Sequence, residues 1–310
     1  MNIVCVEPLG ISQEYFEKLK EEFASQGHQF QYYLDRKEDA TTLSNRMKEA
    51  DIAVISNIKL PAEVLSVCTH LQYLSVAFTG LDHIDLEYCK AHHIAVQNAA
   101  GYSTTAVSEL AVGLMIDLMR QISHFDSTIR NGEGRGAFLG HELRGKTVGV
   151  VGTGAIGTAV IRLLLAFGCK VLAYNRSEHT DVVNLGVQYT DLDTLMRESD
   201  IVTLHVPLTT ETHHIINRER LALMKSNAIL INTARGNVVD IPALADALTT
   251  GSIAGAAIDV YEQEPPLPLN HPLLNAPNCV CLPHIGYASR EAFDIRAEIV
   301  FDHVRNFLRG

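Results

Sequence analysis

Residues 146–151 form a short apolar run that reads as a buried strand, followed at once by Gly152-Thr153-Gly154-Ala155-Ile156-Gly157. Beyond the glycines, Ile156, Val160, Ile161, Leu164 and Leu165 recur on one face of a helix expected over 155–167. Strand, glycine turn and helix in this order leave few folds open. Gly152 lets the chain turn tightly, Gly154 lets another group approach the backbone, and Gly157 lets helix and strand pack closely. The first N–H groups of a helix have no partners of their own, so they favour a phosphate. The segment 152–157 therefore reads as the pyrophosphate cradle of a dinucleotide site, with Thr153, Ala155 and Ile156 among its contacts.

Around this unit the chain alternates strand-like and helix-like segments in two series, which argues a parallel, doubly wound α/β architecture in each half. Strands are expected over 2–6, 29–34, 51–56, 71–78 and 94–98, with helices such as 13–25 and 84–92 between them. The second series starts at 146 and continues through 170–175, 200–207, 228–234, 253–261 and 278–283. The fold expected is a Rossmann nucleotide domain beside a flavodoxin-like substrate domain. At 310 residues and 47% apolar, the chain has material for two cores. Residues 104–122, rich in Ala, Leu and Met, read as a long helix that links the domains or forms a subunit interface, with Ser103 and Thr104 as candidate caps. A glycine-dense loop follows at 131–136, and an apolar stripe over 289–308 reads as a helix that crosses back to the first domain.

A formal charge of −11 disfavours nonspecific nucleic-acid binding, so an anionic substrate must be met by local cations. No apolar run approaches membrane-spanning length, and the first residues lack the basic start and apolar core of a secretory signal, so a cytoplasmic protein is expected. Six cysteines without a C-x-x-C pattern read as reduced, buried thiols, and no metal site is expected.

Ligands of open α/β sheets sit beyond the carboxyl ends of the strands. That rule selects Arg235 after the strand at 228–234, Glu264 after 253–261 and His284 after 278–283. Each alone has a plainer explanation: a surface ion pair, a Glu-Pro turn, a hydrogen-bonded structural histidine. Their joint placement at one crevice beside a dinucleotide is what shifts the balance toward a chemical role.

Gly152-x-Gly-x-x-Gly157, Leu204-His205-Val-Pro207-Leu-Thr209, Asn232-Thr-Ala-Arg235-Gly236, Asp259-Val-Tyr-Glu-Gln-Glu264-Pro265 and Pro283-His284-Ile-Gly286, in this order and spacing, resemble the D-isomer-specific 2-hydroxyacid dehydrogenase family over nearly the whole chain. The resemblance implies hydride transfer from a nicotinamide cofactor to a small 2-oxo acid, giving the D-2-hydroxy acid. It implies that Arg235, Glu264 and His284 are catalytic, and that the backbone at Phe78-Thr79-Gly80 binds the substrate carboxylate with Arg235 and His284. It also implies cofactor contacts at His205, Pro207, Thr209, Thr233, Ala234 and Asp259, the last beside the nicotinamide carboxamide, although a strand residue there is equally open to a structural role. The domains it implies are 1–98 plus 288–310 for substrate and 99–287 for cofactor, in a homodimer.

The side chains suit that chemistry independently. A guanidinium holds a carboxylate by two charge-assisted hydrogen bonds and polarises an adjacent ketone. Imidazole donates a proton near neutrality, and a neighbouring carboxylate favours its charged form. An NAD-specific unit carries an acid at the end of its second strand, about twenty residues beyond the first glycine. Here Asn175-Arg176-Ser177 stands there instead, which favours NADP(H), with NAD(H) possible if Arg176 only stacks on adenine. For the substrate, Ala100-Gly-Tyr-Ser-Thr104 and Tyr287-Ala-Ser289 resemble glycerate dehydrogenases and glyoxylate/hydroxypyruvate reductases, and Lys59 alone is a weak match to a phosphorylated substrate. Open alternatives are a reductase of bulkier apolar 2-oxo acids, a phosphoglycerate dehydrogenase-like enzyme, and a nucleotide-sensing corepressor-like binding protein.

Overall fold

Five short strands make the sheet of the first unit: β1 (Asn2–Cys5), β2 (Gln29–Tyr32), β3 (Ile52–Ile55), β4 (Tyr73–Val76) and β5 (Ala95–Asn98). The computed structural model describes all residues 1–310 and divides into two units, Met1–Ser103 with Ala288–Gly310, and Thr104–Tyr287. All pairings in the first unit are parallel, in the order β2-β1-β3-β4-β5. Every residue of β3 and β4 is buried, as strands covered by helices on both faces must be. The last helix, Arg290–Arg309, belongs to this unit. Ser289 caps it by accepting from Ala292 N at 3.1 Å, and Phe301 meets Phe16 and Phe30 edge-on. Where the strand order reverses, between β1 and β3, the buried Glu7 carboxylate accepts from the amides of Ser56 and Ile58 at 2.7 and 3.1 Å. Burial pushes this carboxyl up and the Arg36 guanidinium opposes the shift.

The second unit holds β6 (Thr147–Val151), β7 (Lys170–Tyr174), β8 (Gln188–Tyr189), β9 (Ile201–Leu204), β10 (Ile229–Asn232), β11 (Gly255–Ile258) and β12 (Cys279–Cys281). Their order is β12-β11-β10-β9-β6-β7-β8, all parallel. The chain enters at the centre, winds out through β7 and β8, then crosses to β9. A crevice at the carboxyl ends of β6 and β9 follows from that reversal. Both units are thus doubly wound parallel α/β folds, as expected.

Two local expectations differ from the structure. β8 escaped notice because two residues carry no period. The helix over 104–122 is two, Thr104–Arg120 and Ile122–Arg130, separated by Gln121 at φ +50. The break is held by the Asp117 carboxylate, which accepts from Ser123 N at 2.7 Å, and by the Met119 carbonyl, which accepts from His141 N at 3.0 Å. Beyond β5, Ala99 N donates to the carbonyls of Val76 and Phe78 at 2.9 and 3.1 Å, which fixes the end of that strand against β4. No helix is long and apolar enough to cross a membrane.

Candidate active site

The glycine turn after β6 is enforced by close contact. Gly152 has φ +97, and a Cβ there would stand 2.5 Å from the His205 carbonyl oxygen. At Gly157 a Cβ would fall 1.9 Å from the Gly152 oxygen, so helix and turn meet backbone to backbone. Gly154 is different: a Cβ would meet nothing within 4 Å, and this residue starts the helix Ala155–Ala166 with no side-chain cap. Open space above uncapped helical amides suits a pyrophosphate.

Around the cradle, Tyr189 Oη donates to Thr153 Oγ1 at 2.8 Å, so the unforeseen β8 buttresses the turn. His205, after β9, has Nε2 2.9 Å from Thr203 Oγ1, and burial of the ring pushes its pKa down to about 4, leaving it neutral. The loop at Pro207 and Thr209 is closed by Thr212, whose hydroxyl donates to the Pro207 carbonyl at 2.6 Å and accepts from Thr209 N at 2.7 Å. At the end of β7, Asn175 Nδ2 donates to the Ser177 carbonyl at 2.8 Å, while Arg176 is exposed. Thr233, next to Ala234 after β10, keeps a buried hydroxyl without a hydrogen-bond partner. An orphaned hydroxyl, an open glycine and uncapped amides at one end of one sheet fit a dinucleotide.

Arg235 follows β10 in a turn that Asn232 clamps, its Nδ2 donating to the Arg235 carbonyl at 2.9 Å and its Oδ1 accepting from Ala234 N at 3.1 Å. Gly236 then lies against the segment after β11: a Cβ would stand 1.9 Å from the Tyr261 carbonyl carbon. That contact ties the Arg235 turn to the loop carrying Glu264. Both Glu264 oxygens are 2.9 Å from His284 Nδ1. The Glu264 carboxyl is held below the usual carboxylate range, first by the His284 hydrogen bond and further by the charges of His284 and Arg235, against some burial. Because its pKa is lowered, the carboxylate is charged at neutral pH and loses that charge only as pH falls through the lowered value. The structure thus brings Arg235, Glu264 and His284 together on neighbouring turns of the second unit.

His284 itself sits at φ +59, a backbone conformation that a non-glycine residue keeps only when it is held. Asp259 holds it. This carboxylate is 1% exposed and accepts from Ile285 N at 2.8 Å and Gly286 N at 2.7 Å, one bond to each oxygen. Burial raises its pKa and the two amides oppose that. Asp259 therefore has a structural role in the His284 turn, and each of its oxygens keeps a further lone pair for another donor. Phe78, Thr79 and Gly80 lie in the first unit, where Asn98 Nδ2 donates to the Thr79 carbonyl at 2.6 Å. Asn232, Gly236 and Tyr189 were missed by sequence reasoning. Asn232 and Gly236 flank Arg235 inside its motif, and only their tertiary contacts reveal their work.

Residues 112–286 match the family model described as D-isomer specific 2-hydroxyacid dehydrogenase, NAD binding domain. The chain is 45% identical to a glyoxylate reductase of Thermofilum pendens over 272 residues, covering 86% of this chain and 80% of that protein. To a hydroxypyruvate reductase of Thermotoga maritima it is 42% identical over 248 residues, 79% of this chain and 80% of the other. Among solved structures, an acyclic imino acid reductase, Bsp5, in complex with NADPH and D-Arg superposes with a TM-score of 0.89 at 30% identity, over 100% of this chain and 97% of that one. With its parallel sheets, its glycine cradle and the Arg235, Glu264 and His284 cluster in place, the chain belongs to the D-isomer-specific 2-hydroxyacid dehydrogenase family.

Proposed function

We propose that the protein reduces small 2-oxo acids of the glyoxylate and hydroxypyruvate type to D-2-hydroxy acids. The observation that carries this reading is the His284–Glu264 pair at 2.9 Å with Arg235 on the adjoining turn. Residues 99–287 serve as the dinucleotide-binding domain and 1–98 with 288–310 as the substrate domain, with the backbone at Phe78, Thr79 and Gly80 taking the carboxylate, as the motifs imply. Gly152–Gly157, Thr233 and the end of β7 would hold the nicotinamide cofactor, which supplies the hydride when bound. Arg235 orients the 2-oxo acid and polarises its ketone. Nδ1–H of His284 points to Glu264, so the opposite ring nitrogen, Nε2, is the atom that delivers a proton to the developing alkoxide. The test is kcat/KM over a panel of 2-oxo acids with both cofactors. A ranking led by bulky apolar or phosphorylated acids overturns the substrate class, and cofactor binding without any turnover favours the corepressor-like alternative.

Glu264→Gln removes the negative charge that favours a protonated imidazole. The alkaline fall of the reduction rate therefore moves to lower pH in the variant. A pH–rate profile that superimposes on the parent's removes the role assigned to Glu264.

NADPH is the preferred cofactor in this reading. Asn175 spares a 2′-phosphate the repulsion of a carboxylate, and the exposed Arg176 is available to pair with it. Screening keeps such a contact to about 1–3 kcal/mol, so the preference is roughly ten- to a hundredfold and weakens with salt. Arg176→Ala lowers efficiency with NADPH far more than with NADH, and Asn175→Asp shifts the enzyme toward NADH. Equal use of both cofactors by the parent, with equal losses in Arg176→Ala, contradicts the assignment.

A homodimer built on the second unit is proposed as well. The apolar face of Thr104–Arg120 is largely spent inside the unit, with Val107, Ala111, Val112, Leu114 and Met115 buried. The support comes from just downstream, where Ile122, Ile129 and Leu139 are 53%, 67% and 80% exposed. Sedimentation at micromolar concentration should report twice the 34.1 kDa chain mass, and a monomer would refute the dimer.

A further inference from the structure

Cys279 and Cys281 stand two residues apart on β12, so both side chains leave the same face of this edge strand, and their Sγ atoms lie 3.7 Å apart. Cys5, Cys68, Cys89 and Cys169 are buried, whereas these two are partly exposed. Cys279 also lines a cavity of about 860 Å³ at the amino-terminal end of the sheet, beside Asp200, Gly255 and Asn278. Alternate residues of a strand have Cα atoms about 6.6 Å apart. That separation lies within the Cα span of about 4.4–6.8 Å that a disulfide bridges, but the Cβ atoms must also close to about 3.5–4.5 Å, so bridging bends the strand. The two sulfurs are in hydrogen-bond contact, in which either can donate; that contact favours the Cys281 thiolate and disfavours the Cys279 one, burial opposes the first shift and adds to the second, and the Tyr261 hydroxyl adds to the effect at Cys281. One activated sulfur with a resolving sulfur in contact is the arrangement that peroxide-sensitive cysteines need.

We propose that Cys279 and Cys281 form a reversible thiol–disulfide switch, closed by hydroperoxides, on the strand that delivers His284. The Cys281 thiolate attacks a peroxide oxygen and the O–O bond breaks. Cys281 becomes a sulfenic acid, and the other oxygen leaves as hydroxide or alkoxide and takes up a proton. Cys279 then loses its proton and attacks Cys281 Sγ; the S–O bond breaks and the hydroxyl leaves as water. Two electrons pass from the two sulfurs to the peroxide, and a dithiol reductant returns them by exchange. Closing 3.7 Å to a bond length of about 2.05 Å curls β12. The strand runs on through Leu282, whose amide donates to Ile258 at 2.9 Å, into the His284 turn that Asp259 holds. Oxidation therefore displaces the imidazole.

The test treats the full chain with hydrogen peroxide, alkylates the remaining thiols, and reads masses of the peptides together with turnover. The expected result is loss of two hydrogen masses in the peptide carrying residues 279–281, with the four buried cysteines alkylated after unfolding. Turnover falls roughly tenfold or more, since misplacing a reacting group by about 1 Å costs on the order of a hundredfold, and dithiothreitol restores it. Cys279→Ser stops at a sulfenic acid trapped by dimedone, and Cys279→Ser/Cys281→Ser keeps its turnover under peroxide; alanine at both positions replaces serine if the hydroxyls disturb packing. Two free thiols after peroxide, a disulfide with unchanged turnover, or equal inactivation of the double variant each overturn the switch. Turnover measured before oxidation reads the 2-oxo acid assignment separately.

Discussion

Replacing Arg235 with alanine is expected to lower kcat/KM for every 2-oxo acid by about a hundredfold or more, with cofactor affinity nearly unchanged. The side chain is half-buried at the crevice rim, where a charge-assisted pair to a carboxylate is partly desolvated, and truncating one partner of such a pair costs roughly 3–5 kcal/mol. The turn itself should survive, because Asn232 holds it through its own amide, with bonds to the Arg235 carbonyl and to Ala234 N. Lysine keeps the charge and loses the planar fork, so Arg235→Lys recovers only part of the activity. Steady-state kinetics with an unchanged melting temperature checks this. Near-parental turnover by Arg235→Ala would sink the assignment of the substrate anchor.

Gly157→Ala should impair folding and cofactor binding together. Its Cβ would sit 1.9 Å from the Gly152 oxygen, and that atom is backbone, so helix and glycine turn must separate. Overpacking of this kind costs about 1–3 kcal/mol, and the shift moves the amides that face the pyrophosphate. Gly154→Ala is the matched control. There a Cβ meets nothing in the protein, so stability is retained and cofactor affinity alone declines. Thermal melts paired with cofactor titration separate the two. A Gly157→Ala protein that melts and binds like the parent would refute the close-packing account.

Features set by residues near one another in the chain were legible without coordinates. Strand, glycine turn and helix at 146–167 could be read because apolar period and glycine placement are local, and helix Gln13–Ser25 was read to the residue for the same reason. Arg235, Glu264 and His284 were found because parallel strands all deliver their carboxyl ends to one side, whatever lies between them. What the local pattern could not carry were contacts between segments far apart in sequence. Gly236 pressed on Tyr261, Asp259 holding the amides of Ile285 and Gly286, Tyr189 under Thr153 and the Asp117 bond that breaks the long helix all depend on which loops meet. The same holds for Cys279 and Cys281. As sequence they read as reduced, buried thiols, whereas the edge strand β12 leaves both partly exposed with their sulfurs 3.7 Å apart. Periodicity records which face of an element is apolar, and only packing decides which polar atoms then find one another.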